Sequence, residues 1–123
     1  MKISKADTMK QYLTSQVSPE LAALLRDAGF RTPDGTPHVP TFAEAFDWIS
    51  GKGVYLVIVL VVHHVDGVGR VLVYEGILMA EWGNPLDAFG ADNPMGSSWV
   101  EVAEASVKRA LSMIARNELN TNQ

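Results

Sequence analysis

The 123-residue chain contains no cysteine. This absence excludes disulfide bonds, thiol catalysis and zinc sites with thiolate ligands, because each needs a cysteine sulfur. Small secreted domains more often carry disulfide bonds. The first ten residues also lack the apolar stretch of a secretory signal. We therefore expect a cytoplasmic protein.

Charged residues make up 20% of the chain, an ordinary share for a globular protein, but no excess of positive charge is present, since the formal net charge is −4. Proteins that bind nucleic acids concentrate Lys and Arg against the phosphates, and no run of either residue occurs here. The longest apolar run covers residues 54–62, whereas a membrane-spanning helix needs ~20 such residues. We expect neither a nucleic acid nor a membrane as a partner.

The composition is otherwise that of a globular protein, with 47% apolar residues. A chain of this length can bury a core without disulfide bonds or a metal. We expect a polar N-terminal arm over residues 1–17 with a short helical piece around 6–13. A single α+β domain should follow over residues 18–116, and residues 117–123 should form a frayed tail.

Three helices are predicted from helix caps and from apolar residues at helical spacing. Ser18 is a suitable N-cap for the first helix, and Gly29 a suitable stop after which Phe30 can fold back onto the helix. The other two helices begin with a hydroxyl residue and a glutamate at capping-box spacing: Thr41 with Glu44, and Ser98 with Glu101.

Two runs rich in β-branched residues, 54–64 and 70–80, lie between the second and third helices and predict strands. Asp66 and Gly67 favour a type I′ turn, so the runs predict a hairpin. The predicted fold class is α+β, a long two-stranded antiparallel hairpin with two helices before it and one C-terminal helix. A turn centred on Asp66–Gly67 would place Val59 opposite Tyr74, while Gly69 allows a bulge that would shift this register.

Both faces of this hairpin are apolar, which is unusual for a two-stranded ribbon. Burying each Val or Leu side chain stabilises a fold by ~1.5–3 kcal/mol, so a wet face would forgo on the order of 10 kcal/mol. Either the helices divide between the faces, or they cover one face and a second copy covers the other. We favour the homodimer. The predicted interface residues are Leu56, Ile58, Leu60, Val62, Val71 and Val73.

A second candidate site lies after the hairpin, where residues 83–98 form a long loop rich in glycine and proline. Long loops in compact domains are often functional. Trp82 ends the second strand just before this loop, with Glu81 beside it, and tryptophan can stack on a ligand. Glu81 and Trp82 are therefore the predicted binding residues of a small-ligand or peptide site.

Signals for catalysis or metal binding are weaker. His63 and His64 precede Asp66, but neighbouring strand residues point to opposite faces, so a metal could use only one of them together with a distant ligand such as His38. A glycosidase-type site needs two carboxylates that flank one bond, and nothing in the sequence places a second carboxylate beside Glu75. We expect no enzyme, no metal and no cofactor; an enzyme that uses one of the two strand histidines with a carboxylate is the remaining alternative.

The order of segments resembles a known group of proteins. The resemblance is carried by residues 24–30 (LLRDAGF), 40–49 (PTFAEAFDWI), the β-ribbon, and residues 98–105 (SWVEVAEA) running into 108–111 (KRAL). It covers most of residues 18–116. These segments are similar to short uncharacterised proteins encoded by phages and integrated elements of Bacteroides-like bacteria. The resemblance implies a cytoplasmic accessory protein of a mobile element and assigns no functional residue.

Taken together, these features predict a non-enzymatic protein-interaction module that forms a homodimer. The alternative is a small-ligand or peptide-binding domain that uses residues 81–98.

Overall fold

A computed structural model describes residues 12–32, 35, 38–80, 84–85 and 93–115 of the chain. The predicted α+β class is confirmed, with a long hairpin between the second and third helices. The helices and strands, in chain order, are α1 (Pro19–Asp27), α2 (Phe42–Ser50), β1 (Tyr55–Val65), β2 (Gly69–Ala80), β3 (Asn84–Pro85), β4 (Met95–Gly96) and α3 (Trp99–Ala115).

Helix α1 has the caps that its sequence predicts. The Ser18 hydroxyl accepts a hydrogen bond from the Leu21 amide at 3.1 Å. At the other end Gly29 has a φ of 109°, and its amide donates to the Arg26 carbonyl at 3.0 Å. The Phe30 amide donates to the Leu25 carbonyl at 2.9 Å, which completes a Schellman motif. Phe30 is thereby turned back into the core, as expected.

Helices α2 and α3 also begin where their capping residues predict. The Thr41 hydroxyl accepts from the Glu44 amide at 3.2 Å, and the Thr41 amide donates to the Glu44 carboxylate at 2.9 Å. These two bonds form a capping box. The Glu101 amide donates to the Ser98 hydroxyl at 3.3 Å at the start of α3.

The described part of the predicted N-terminal arm, residues 12–17, packs against the domain. Residues 12–14 are helical, and Val17 is buried in the core. The Tyr12 ring stacks on Trp99 with 5.1 Å between centroids and 6° between planes. The core therefore takes in residues that precede residue 18, while the predicted domain boundary stays a prediction. Residues 1–11, and the tail 117–123, lie outside the described residues.

The sheet is built around β2. β1 pairs antiparallel with one side of β2, while β3 and β4 pair antiparallel with its other side. Residues 83–98 were predicted as a loop, but the two short strands β3 and β4 lie within this segment. In β3, Asn84 pairs with Ala80 of β2, and in β4, Gly96 pairs with Tyr74 of β2. β1 is an edge strand, since no other described strand pairs with its second side.

Helices α2 and α3 pack on one face of the hairpin, and α1 packs against α3. The core lies between these helices and the sheet. Its fully buried side chains include Leu21, Leu25, Phe42, Ile49, Val54 and Val107. The amide and hydroxyl of Ser18 donate to the two Glu104 oxygens at 2.7 and 2.6 Å, which joins α1 to α3. In the described ranges, no helix combines the length and the apolar character required to cross a bilayer.

Helix α3 approaches β2 closely at Gly76. A Cβ atom added at Gly76 would overlap the Ser106 hydroxyl and lie 3.0 Å from the Ser106 Cβ. Ser106 is fully buried, and its hydroxyl has no hydrogen-bond partner in the described structure. A glycine within a strand commonly marks such a close approach.

Candidate interaction surface of the hairpin

The hairpin register differs by one residue from the register predicted for an Asp66–Gly67 turn. Val59 lies opposite Glu75, not Tyr74. Three residues separate the paired Val65 and Gly69, because Gly67 and Gly69 adopt φ angles of 81° and 103°. The Val68 amide closes the turn by donating to the Val65 carbonyl at 3.0 Å.

This register decides which side chains share a face, since opposed residues point to the same side. The inner face points toward the helices and carries Leu56, Ile58, Leu60, Val62, His64, Arg70, Leu72, Tyr74, Gly76 and Leu78. The outer face carries Tyr55, Val57, Val59, Val61, His63, Val71, Val73, Glu75, Ile77 and Met79.

The six predicted interface residues therefore do not form one surface. Four of them lie on the inner face: Leu56, Ile58, Leu60 and Val62. Val71 and Val73 lie on the outer face, because the three-residue turn shifts β2 by one position.

The inner face is divided into a buried and an exposed part. We call residues 55–59 and 75–79 the hairpin base, and residues 60–74 the hairpin tip. At the base Leu78 is only 2% exposed, and Leu56 and Ile58 pack against the helix core. At the tip the exposed fractions are 54% for Leu60, 59% for Val62 and 60% for Leu72. The helices thus cover the base and leave the tip exposed.

Tyr74 marks the boundary between these two parts. Its side chain is half-buried and packs against the core. Burial raises the pKa of the Tyr74 hydroxyl above its usual value, and the nearby Tyr12 adds to this increase. Residues beyond Tyr74 toward the turn do not belong to the core.

The outer face lies on the side away from the helices. None of its described side chains belongs to the core that the helices build. Tyr55 and Val57 are exposed, and most of the other residues on this face are half-buried among their strand neighbours. Glu75 is the only carboxylate among these ten residues.

The free edge of the sheet is also apolar. Residues Tyr55–Val65 of β1 include no Asp, Glu, Lys, Arg or Pro. Natural edge strands commonly carry charge or proline, which prevents the unpaired amides and carbonyls from pairing with another chain. β1 has neither protection.

A polar cluster lies beside β2 on the edge where β4 pairs, away from β1. Asn93 links Glu75 to Arg109 in this cluster. The Asn93 amide donates to a Glu75 carboxylate oxygen at 2.9 Å, and Arg109 donates to the Asn93 carbonyl oxygen at 3.0 Å. Sequence reasoning missed Asn93 and Arg109, since they lie 18 and 16 positions from their partners. The cluster fixes the segment before β4 against β2 and α3.

The three histidine side chains do not form a cluster. His63 is on the outer face opposite Val71, and His64 is on the inner face opposite Arg70. His38 precedes α2, with its Nε2 atom 3.2 Å from a Glu44 oxygen. In the part of the chain that the structure describes, no three His, Asp or Glu residues are placed to hold a metal ion.

Glu81 and Trp82 lie outside the described residues, so the ligand site around them stays a prediction. A surface depression of about 410 Å³ lies elsewhere, beside the end of α1, and Arg26, Arg31 and His38 contribute to its wall. Arg31 donates to the Phe30 carbonyl at 2.7 Å, and the His38 Nε2 atom lies 3.2 Å from a Glu44 oxygen, so the protein's own acceptors engage two of these three side chains.

Comparison of the chain with family models, curated proteins and solved structures gives no match. The geometry of the hairpin is therefore the main basis for a functional proposal.

Proposed function

We propose that this protein is a non-enzymatic protein-interaction module that forms a homodimer through its hairpin. The observation that carries the proposal is the change along the inner face. Leu78 is buried at the base, whereas Leu60, Val62 and Leu72 are more than half exposed at the tip. Large apolar side chains grouped on an exposed surface are typical of interaction sites.

The exposed apolar residues of the hairpin divide between its two faces and its turn. Leu60, Val62 and Leu72 share the inner face, whereas Tyr55 and Val57 lie on the outer face and Val65 and Val68 lie at the turn. The inner-face group at the tip is therefore the candidate interface.

A second copy is the favoured partner because β1 carries no charged residue. Each chain has a net charge of −4, so two copies repel each other at long range. That repulsion is weakest where neither surface carries carboxylates. Two-fold symmetric dimers are also the commonest oligomers of soluble proteins. The proposal includes the setting implied by the sequence resemblance, a cytoplasmic accessory protein of a phage or mobile element.

Light scattering after size-exclusion chromatography tests this proposal. We expect a mass of twice the 13.4 kDa of the chain, with dissociation on dilution. Val62→Asp should shift the protein to a monomer that keeps its fold by circular dichroism, because Val62 is 59% exposed within one copy. Its melting temperature should fall only by the stabilisation that dimerisation supplies.

Leu24→Asp is the matched control. Leu24 is a 40% exposed apolar residue of α1, away from the hairpin, and its replacement should leave the dimer intact. A monomer at every concentration, or equal dissociation by both substitutions, would refute the proposal.

A further inference from the structure

We propose that the free edge of β1 pairs antiparallel with β1 of a second copy, so that one continuous sheet runs through the dimer. This inference rests on the proposed homodimer and specifies how the two copies meet. The alternative is packing of the two outer faces against each other.

The first argument is the edge itself. β1 is 11 residues long and has no described strand on its second side. Alternate residues of an antiparallel edge strand direct their amides and carbonyls away from the sheet. An edge of this length without charge or proline is a template for a further strand.

The second argument is that such pairing stops at two copies. β3 and β4 pair with the other side of β2, so the opposite edge of the sheet is partly occupied. Pairing of β1 with β1 uses the same surface on both copies, which closes the assembly around a two-fold axis. A dimer, and not a filament, is the expected product.

The register follows from maximal overlap. When all 11 residues of β1 pair, the two-fold axis passes through Leu60, which lies opposite Leu60 of the second copy. Val62 then lies opposite Ile58 of the second copy. Opposed residues in an antiparallel pair point to the same face, so both helix layers lie on one side of the sheet.

This register also covers the β1 side of the exposed tip. The tip of each hairpin lies beside the base of the other, where the helix core covers Leu56 and Ile58. Leu60 and Val62, which are more than half exposed in one copy, thereby gain apolar neighbours. One arrangement thus accounts for the unprotected edge and for the exposed Leu60 and Val62.

Introducing opposite charges at Leu60 tests the arrangement, because Leu60 of one copy lies opposite Leu60 of the other across the two-fold axis. Leu60→Glu and Leu60→Lys should each raise the Kd of the dimer on the order of a hundredfold, through lost apolar burial and like-charge repulsion. Mixing the two variants should restore a heterodimer, since the carboxylate and ammonium groups are then opposed. Light scattering and circular dichroism of each variant and of the mixture report assembly and folding.

Val57→Glu is the matched control on the outer face of the same strand. In the proposed register Val57 lies opposite His63 of the second copy, so a glutamate there should weaken the dimer far less than one at Leu60. If Val57→Glu dissociates the dimer while Leu60→Glu does not, the outer faces pack together and the edge pairing is wrong. If mixing the two Leu60 variants restores no dimer, the edge pairing is also refuted. The proposed function is still supported in that case, provided that the wild type is a dimer.

A covalent test is available because the chain has no cysteine. Leu60→Cys should form an intermolecular disulfide under mild oxidation, since opposed residues in neighbouring antiparallel strands have Cα atoms ~4.5–5.5 Å apart, within the range that a disulfide spans. Leu72→Cys, on the same face of β2, is the control and should not crosslink. Crosslinking at Leu72 and not at Leu60 would contradict the pairing. A wild-type protein that is monomeric at all concentrations would refute both this inference and the proposed function.

Discussion

The base and the tip of the hairpin have similar sequences and different surroundings. Leu78 and Leu72 are both leucines on the inner face of β2, yet the first is 2% exposed and the second 60%. The difference arises because α3 contacts the base at Gly76 and extends no cover over the residues near the turn. Residue type and strand position are thus insufficient to tell whether a side chain stabilises the fold or is available for binding.

This difference can be measured most directly by truncating both leucines. Leu78→Ala should lower the free energy of unfolding by about 2–5 kcal/mol, since it leaves a cavity in the core. Leu72→Ala should change it by about 0.5 kcal/mol or less in a monomeric sample. Urea denaturation of both variants at low protein concentration is the measurement, and equal losses would show that the tip is as well packed as the base.

The close approach of α3 to β2 at the base can be tested next. Gly76→Ala should destabilise the protein by about 1–3 kcal/mol, because its Cβ would overlap the Ser106 hydroxyl. The same substitution should cost less in a Ser106→Ala background, where that hydroxyl is absent. A double-mutant cycle followed by urea denaturation measures the coupling, and additive effects would argue against the contact.

Ser106→Ala alone should have a smaller and opposite effect. The buried Ser106 hydroxyl lacks a hydrogen-bond partner in the described structure, so its removal should raise the free energy of unfolding by about 1 kcal/mol. Ser112→Ala is the control, because Ser112 is an exposed residue of the same helix and shares only the gain in helix propensity. An equal gain at the two positions would mean that the buried hydroxyl costs nothing.

The smallest expected effect is on the pH dependence of folding stability, through the Thr41–Glu44 cap of α2 outside the hairpin. The Thr41 amide, which donates to the Glu44 carboxylate, lowers the pKa of Glu44 below 4.5, and His38 contributes further. A lowered pKa in the folded state stabilises the fold above the unfolded pKa, and this stability is lost as the pH falls below 4.5. Thermal unfolding between neutral pH and acid should therefore show a shallower decline for Glu44→Gln than for the wild type.

The helices could be predicted from sequence because their signals are local. The Ser18 cap, the Thr41–Glu44 capping box and the Gly29 stop all act within one helical turn, and each is found where the sequence places it. The existence of the hairpin was equally clear from two β-branched runs and an Asp-Gly pair.

The register and the covered face could not be predicted in the same way. The turn length depends on the φ angle of Gly69, and the strands are apolar on both sides, so alternation gives no signal for the inner face. The contact between Asn93 and Glu75 joins distant residues without a motif. Gly76 was the one available signal for the buried base, since a glycine inside a strand suggests a close neighbour.

The bonds between Ser18 and Glu104 have a consequence for local unfolding. These residues are 86 positions apart, and their contact holds the first and last helices together independently of the turn at Asp66–Val68. We therefore expect the ladder near that turn to open by local unfolding while the helix layer remains intact, so its amide hydrogens should exchange faster than those of α1 and α3.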